Sequence, residues 1–204
     1  MLELSEVSKC FGELTVIEKA SLKVRVGGVL CLLGPSGVGK TTLLEIMAGL
    51  TKADSGRVTL KTPPSILFQD NLLIPWLNAL DNVTYILPKA LPAEEARLRA
   101  ERWLDTFELP PDKFPRALSG GMKRRLALAR TMAAGRSLLI LDEPFAFLDK
   151  RWHETIASLV AYKANNGAAA VISGHWAPET LPALLPGRLE TVRFTGQPIN
   201  LAMS

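Results

Sequence analysis

The sequence predicts an α/β fold built on a mostly parallel sheet, and three short apolar segments carry this prediction. They are Val29–Leu33 and residues 138–141 and 169–173, which have the mainly apolar character of strands buried on both faces. Apolar residues at helical spacing lie between them. Strands that alternate with helices are typical of parallel sheets, because each crossover helix covers one face of the sheet.

Four further segments have strand character. Residues 2–7 and 20–26 alternate apolar and polar side chains, as half-buried strands do. Residues 66–68 form another short strand, and residues 189–194 fit a final edge strand. A turn is expected at residues 54–56, where Asp, Ser and Gly adjoin.

Helical spacing predicts one helix from residue 40, one over residues 93–108, one around residues 122–133 and one around residues 152–160.

The domain organisation follows from a change of character along the chain. In residues 71–117 prolines recur and strand patterns stop. We therefore predict a helical lobe of about residues 71–135, inserted into a core of residues 1–70 and 136–204. The whole chain, residues 1–204, has the length of a single domain.

The composition excludes several classes of protein. Of the 204 residues, 48% are hydrophobic and 22% are charged, which are globular rather than disordered values. Two cysteines exclude a disulfide scaffold, and no apolar run approaches the roughly 18 residues of a membrane span. The N-terminal residues do not resemble a signal peptide, so we expect a reduced intracellular compartment. A net charge of +4 permits nucleic acid or an anionic membrane as a partner, and equally fits an ordinary enzyme.

A phosphate-binding motif joins the first apolar strand to the following helix. It fits the pattern G-x-x-x-x-G-K-[ST] and consists of Gly34, Pro35, Ser36, Gly37, Val38, Gly39, Lys40 and Thr41, with Thr42 next in the helix. Glycines let backbone N–H groups turn toward phosphate oxygens, and the helix N-terminus adds partial positive charge. Lys40 is expected to reach the β- and γ-phosphates, and Thr41 to bind Mg²⁺.

Two acidic residues follow the second apolar run. Asp142, at the end of a buried strand, is predicted to hold Mg²⁺ through water. Glu143 is the candidate general base, which would orient and polarise the attacking water. Together with the glycine loop, this pair indicates a P-loop NTPase. Nucleotide kinases, small GTPases, helicase-like ATPases and transporter ATPases all remain as alternatives at this point.

A third motif, Leu-Ser-Gly-Gly-Met at residues 118–122, narrows the class. Ser119 is a good helix N-cap, and Gly120 and Gly121 leave backbone N–H groups open to a phosphate, although a capped helix start would look the same. With these motifs in this order, nearly the whole chain resembles the ATP-binding cassette (ABC) family. The segment at residues 118–122 matches the signature motif of that family. The resemblance implies the ABC ATPase fold, with a RecA-like P-loop core and N-terminal antiparallel strands, and the binding of ATP and Mg²⁺. It also implies a head-to-tail homodimer, in which each ATP lies between one subunit's phosphate loop and the other's signature.

The same resemblance assigns roles to four other positions. Phe11 is expected to stack on adenine, although a core residue at a strand end would also fit. Gln69 is expected to sense Mg²⁺ and the γ-phosphate, and so joins the metal-binding positions. Asp149 would contact the other subunit, unless it is an ordinary helix cap, and His175 would contact the γ-phosphate. Glu143, Gln69 and His175 are then the catalytic candidates.

The sequence departs from the family pattern in two places. Residues 173–176 read Ser-Gly-His-Trp, where the family usually has Thr-His-Asp. Residues 123–125 read Lys-Arg-Arg, where Gln is common at the middle position. The chain also ends soon after the core, so no regulatory domain is expected. His153 has no family counterpart and is predicted to be a surface residue.

Residues 68–83 resemble importer ATPases for nitrate, sulfonate, taurine and pyrimidine-type compounds. The apolar loop at residues 72–77 suggests a protein contact, or else burial inside the lobe. The resemblance implies an ATP-hydrolysing importer subunit, peripheral on the cytoplasmic face of the inner membrane. Its partners would be an integral membrane permease and, indirectly, a periplasmic solute-binding protein, with no nucleic acid. Alternatives are a non-transport ABC ATPase acting on DNA or ribosomes, favoured by residues 123–125, and a small-molecule kinase, which would leave the signature and His175 unused.

Overall fold

The computed structural model describes residues 2–202, and eight strands and six α-helices occur in this part of the chain. The strands are β1 (Leu2–Phe11), β2 (Leu14–Val24), β3 (Val29–Leu33), β4 (Ser55–Leu60), β5 (Ser65–Leu67), β6 (Leu138–Asp142), β7 (Ala169–Gly174) and β8 (Leu189–Arg193). The helices are α1 (Lys40–Ala48), α2 (Ala79–Thr84), α3 (Ala93–Thr106), α4 (Gly120–Ala133), α5 (Lys150–Asn165) and α6 (Leu181–Leu184), with a 3₁₀ turn at Pro115–Ala117.

The strands form two sheets. A parallel five-stranded sheet has the order β5-β6-β7-β3-β8, and an antiparallel three-stranded sheet has the order β2-β1-β4. The predicted parallel sheet, its edge strand β8 and the N-terminal antiparallel strands are therefore confirmed. Strand β1 is longer than the predicted segment of residues 2–7. Register shifts between Leu4 and Val7 and between Val7 and Lys9 interrupt the alternation of apolar and polar residues from which that segment was predicted. Strand β4 begins at Ser55, where a turn was expected. The strand is mostly exposed, so its residues lack the apolar pattern that would predict a strand.

Two hydrophobic cores lie on opposite faces of the parallel sheet. Leu30 and Leu32 of β3 belong to the core that contains α1 and the antiparallel sheet. Val29, Cys31 and Leu33 belong to the core that contains α5 and the helices of the 71–135 segment. All five are buried because successive side chains of a strand point to opposite faces, and both faces are covered here.

The 71–135 segment contains α2, α3, the 3₁₀ turn and α4, and none of the eight strands. Helix α3 ends at Thr106, two residues earlier than predicted. Phe107 is still fully buried, between Trp103 at 6.3 Å and Trp152 of α5 at 6.0 Å between ring centroids. The short helix α2 was not predicted. The division of the chain into a core and a lobe stays a prediction.

None of the helices within residues 2–202 combines the length and the apolar character that crossing a membrane would require.

Candidate functional site

The predicted site residues come together where parallel strands end. The phosphate loop follows β3, Gln69 follows β5, Glu143 follows β6 and His175 follows β7. Because β5, β6, β7 and β3 are neighbours in one parallel sheet, these four segments emerge side by side at its carboxyl edge. Ligands of open α/β sheets bind at this edge.

The phosphate loop has the backbone conformation that its glycines predict. Gly37 has φ 75° and Gly39 has φ 108°, both in the left-handed region. A Cβ at Gly39 would lie 2.6 Å from Cγ1 of Val16, so both conformation and space require glycine there. Helix α1 begins at the next residue, and its N-terminal N–H groups, like those of the loop, are open donors for an anion.

The ammonium group of Lys40 lies within this loop. The residue is buried, and Nζ donates hydrogen bonds of 2.8 Å to the carbonyl oxygens of Gly34 and Pro35. Burial lowers the pKa of Lys40, and the negative charges of Glu143 and Asp142 oppose this shift. The loop therefore holds one cation close to two carboxylates.

A chain of hydrogen bonds connects the loop to the two acidic residues. Thr41 Oγ1 donates to Asp142 Oδ2 at 2.8 Å. The other carboxylate oxygen of Asp142 accepts the hydroxyl of Ser173, whose oxygen accepts the backbone N–H of Glu143 at 3.1 Å. Ser173 is fully buried. No role was predicted for Ser173, because no sequence motif signals a hydrogen bond that depends on strand register.

Glu143, His175 and Ser36 meet at the mouth of the site. His175 Nε2 lies 3.6 Å from Glu143 Oε1 and 3.2 Å from Ser36 Oγ. Glu143 has φ 49°, a left-handed conformation that is uncommon for a residue with a side chain. Such strained residues cluster at functional sites, where the surrounding structure holds them in place.

Half of the predicted site positions line a cleft of about 290 Å³. Its lining residues are Phe11, Val16, Ser36, Gly37, Gly39, Lys40, Thr41, Thr42, Gln69, Glu143 and Gln197. The ring of Phe11 is 53% exposed, which argues against the alternative of a core residue at a strand end. Val16 and Gln197 were not predicted; Gln197 donates a hydrogen bond to the carbonyl of Gly37 from 160 residues away.

The residues present fit a nucleotide with Mg²⁺. Thr41 and Asp142 supply a hydroxyl and a carboxylate oxygen 2.8 Å apart, which are the hard oxygen ligands that Mg²⁺ uses together with phosphate groups. The side-chain-free turn at Gly39 lets phosphate oxygens approach the backbone.

Two predicted segments do not line this cleft. Ser119 caps helix α4, with its hydroxyl accepting the N–H of Met122 at 3.3 Å, and Gly120 and Gly121 form the first turn. Asp149 caps helix α5 in the same way, accepting the N–H of Trp152 at 3.2 Å. Within one chain both segments are capped helix N-termini, which is the alternative that the sequence left open for each.

The unusual Trp176 belongs to an aromatic cluster beside the site. It stacks on Phe145 with 5.7 Å between ring centroids and meets the ring of His153 edge-on at 4.8 Å. His153 Nε2 also lies 3.0 Å from the carbonyl oxygen of Phe145. His153 was expected on the surface; it is half-buried because the two aromatic rings cover it.

The parallel sheet, the glycine turn before α1 and the carboxylates at the end of β6 define the class of P-loop α/β proteins. Within that class, the family model described as ABC transporter matches residues 17–146. The chain belongs to the ABC transporter family.

Curated relatives are import ATP-binding proteins. The chain is 36% identical to the sulfate/thiosulfate import ATP-binding protein CysA 2 of Chromobacterium violaceum, over 100% of this chain and 60% of the relative. It is 37% identical to the aliphatic sulfonates import ATP-binding protein SsuB of Corynebacterium glutamicum, over 80% and 69%. It is 36% identical to the spermidine/putrescine import ATP-binding protein PotA of Nitrosomonas europaea, over 89% and 54%. The chain thus spans little more than half the length of some of these relatives.

Two solved structures share the fold. One is a dimeric ATP-binding cassette in a post-hydrolysis state bound to ADP and Pi, with a TM-score of 0.83 and 26% identity over 97% of both chains. The other is a dimeric bacterial ABC transporter cassette, with a TM-score of 0.82 and 27% identity over 95% of this chain and 94% of that one.

Proposed function

We propose that this chain binds and hydrolyses ATP as the nucleotide-binding subunit of an ABC importer. The observation that carries the proposal is the hydrogen-bonded series Thr41–Asp142–Ser173–Glu143 at the end of the phosphate loop. It places a metal-binding pair next to a candidate base. Family membership and the import ATP-binding relatives support the same assignment.

Phosphate binding uses the positive groups at the start of α1. The loop N–H groups and the ammonium of Lys40 hold the β- and γ-phosphates. Because Lys40 is buried, its charge acts on the phosphates with little screening by water. The exposed ring of Phe11 lies at the same cleft and stacks on the adenine.

Mg²⁺, when bound with the nucleotide, neutralises charge that develops on the phosphate oxygens. Thr41, Asp142 and Gln69 are the residues that would hold it. Ser173 fixes the orientation of the Asp142 carboxylate by donating to its second oxygen.

Water activation is the role of Glu143. Its carboxylate takes the proton from a water that attacks the γ-phosphate, and its backbone is fixed by the hydrogen bond to Ser173. His175, 3.6 Å from that carboxylate, donates to the γ-phosphate oxygens.

A second copy of the chain completes the site. Ser119, Gly120, Gly121 and Asp149 lie outside the cleft of their own chain, so they can act on the nucleotide only from a partner. The dimeric cassettes of the same fold support a homodimer. ATP held from both sides closes the dimer, and hydrolysis releases it.

The permease would dock on a groove of about 390 Å³ beside β5 and α4. Leu72 and Tyr85 line it and are 58% and 69% exposed. Trp76, in the apolar loop that was expected to contact a protein or to be buried, is 75% exposed. Exposed apolar side chains beside a groove are typical of protein contacts, and Arg130 and Arg136 add positive charge to this groove. The subunit would then sit peripherally on the cytoplasmic side of the inner membrane, with a periplasmic binding protein delivering the solute.

We infer a sulfonate-type solute, since two of the three named relatives import sulfur oxyanions.

ATP binding and hydrolysis are tested with the purified chain and with membranes that contain its permease. Lys40→Ala should weaken ATP binding at least about tenfold, because it removes the buried charge beside the phosphates. Lys52→Ala removes an equal charge from an exposed position and should leave binding unchanged. Equal ATP affinity in wild type and Lys40→Ala, or no phosphate release in either preparation, would overturn the proposal.

A further inference from the structure

Arg124 is a fully buried cation between two segments of the site. It lies in the second turn of α4 and is 1% exposed. One side of its guanidinium, Nη1, donates to the carbonyl oxygens of Phe68 and Gln69 at 2.7 and 3.3 Å and to Asn71 Oδ1 at 3.3 Å.

The other side of the same guanidinium faces the acidic segment. Nη2 donates to the carbonyl oxygen of Asp142 and, at 2.8 Å, to that of Glu143. One planar group therefore holds the backbone on both sides of the cleft, at Gln69 and at Glu143. The remaining donor, Nε, is buried and has no partner among the described residues.

Arg124 is charged at neutral pH although it is buried. Burial lowers the pKa of Arg124 to about 10, and the charges of Asp142 and Glu143 act in the opposite direction. At neutral pH the guanidinium is thus protonated and keeps all its donors. A buried charge is tolerated when most of its hydrogen bonds are made. Here four carbonyl oxygens and one amide oxygen accept from Nη1 and Nη2, which leaves Nε as the one donor without a partner among the described residues.

Neither a glutamine nor a lysine side chain has the donors to make both sets of hydrogen bonds that Arg124 makes. A glutamine amide has two N–H donors on one nitrogen, and a lysine ammonium is a single point. Only the flat fork of arginine presents donors in two directions at once. Glutamine is common at this position in the family that the sequence resembles, so Arg124→Gln tests the family's usual residue in this chain.

We propose that Arg124 is a positioning residue that holds Gln69 and Glu143 at a fixed separation around the γ-phosphate. The proposal rests on the proposed ATP hydrolysis at this site. The guanidinium of Arg124 donates to the backbone carbonyl oxygens of Gln69 and Glu143 and not to their side chains, so it acts through the backbone of these two residues. Because Glu143 has a strained φ of 49°, its carboxylate is in place only while its backbone is held.

The test compares Arg124→Gln and Arg124→Lys with Lys123→Gln, which removes a charge from the neighbouring, half-buried position. Both Arg124 variants should lower kcat by about tenfold to a hundredfold, the range expected for a small misplacement of a catalytic group. Their KM for ATP should stay within about threefold of wild type, because the phosphate loop is untouched. Lys123→Gln should match wild type in both parameters.

A double variant separates positioning from general destabilisation. If Arg124 acts through Glu143 as well as Gln69, adding Arg124→Gln to Glu143→Gln should lower kcat by less than the same change does in wild type, because residues that act as a unit are non-additive. A kcat equal to that of Lys123→Gln, or an additive loss in the double variant, would overturn the proposal. Failure of both Arg124 variants to fold would do so too, since Arg124 would then be a core element. Absent hydrolysis in wild type would instead overturn the proposed function.

Discussion

Ser173 donates its hydroxyl hydrogen to the Asp142 carboxylate from the neighbouring parallel strand. Its oxygen also accepts the backbone N–H of Glu143 at 3.1 Å. One buried hydroxyl on β7 thus orients both acidic residues that end β6. The Asp142 carboxylate and the Glu143 backbone are hydrogen-bonded to the same oxygen atom, so they keep a fixed relation to each other.

Removing this hydroxyl should destabilise the protein. Ser173→Ala leaves a buried Asp142 oxygen and a Glu143 N–H without partners, and each such loss costs about 1–3 kcal/mol. Ser137→Ala, which removes an exposed hydroxyl paired with Thr62, should stay within about 0.5 kcal/mol of wild type. Urea unfolding of the two variants measures the difference, and equal midpoints would show that the Ser173 hydroxyl does not hold the carboxylates.

Glu143→Gln should abolish hydrolysis while keeping ATP binding. The amide has nearly the same shape as the carboxylate but cannot accept a proton, so phosphate release should fall at least about a hundredfold. Bound ATP should then trap a closed dimer. Phosphate release and light scattering in the presence of ATP and Mg²⁺ measure both effects. Hydrolysis at the wild-type rate would exclude Glu143 as the base.

A negative charge in the groove should prevent docking on the permease. Tyr85→Glu introduces a carboxylate beside exposed Leu72, in a groove that Arg130 and Arg136 also line, and so changes both its polarity and its charge. Tyr162→Glu makes the same change at a similarly exposed tyrosine of α5, outside the groove. Only Tyr85→Glu should abolish co-purification with the permease from membranes. ATP binding by the purified chain should be unchanged in both variants. Equal recovery of the permease with both would place the docking surface elsewhere.

The two cysteines should differ strongly in reactivity. Cys10 is exposed, whereas Cys31 is buried and burial raises its pKa to about 11. At pH 8 roughly one Cys31 thiol in a thousand is a thiolate, which is the reactive form. A thiol reagent should therefore modify one cysteine in the native protein and two in denaturant. Reactivity of Cys31 should rise as the pH approaches 11, and rapid native labelling of Cys31 at pH 8 would contradict its burial.

Local patterns predicted the parts of the site that lie within one segment. The glycine loop, Lys40 and Thr41 follow one another along the chain, as do Asp142 and Glu143, so their spacing in sequence is also their spacing in space. The parallel sheet was equally predictable, because strands buried on both faces leave continuous apolar runs. Strand β4 and helix α2 were missed, since an exposed strand and a six-residue helix leave no such pattern.

The amino-acid sequence by itself determined which chemical groups follow each strand, because the motifs are contiguous. Tertiary structure alone decided how those groups are held. The contacts of Ser173 with Asp142, of Gln197 with Gly37 and of Arg124 with Gln69 span 31, 160 and 55 residues. Such contacts depend on strand register and on how helices pack against the sheet, and one residue of register shift would turn every side chain of a strand to the opposite face.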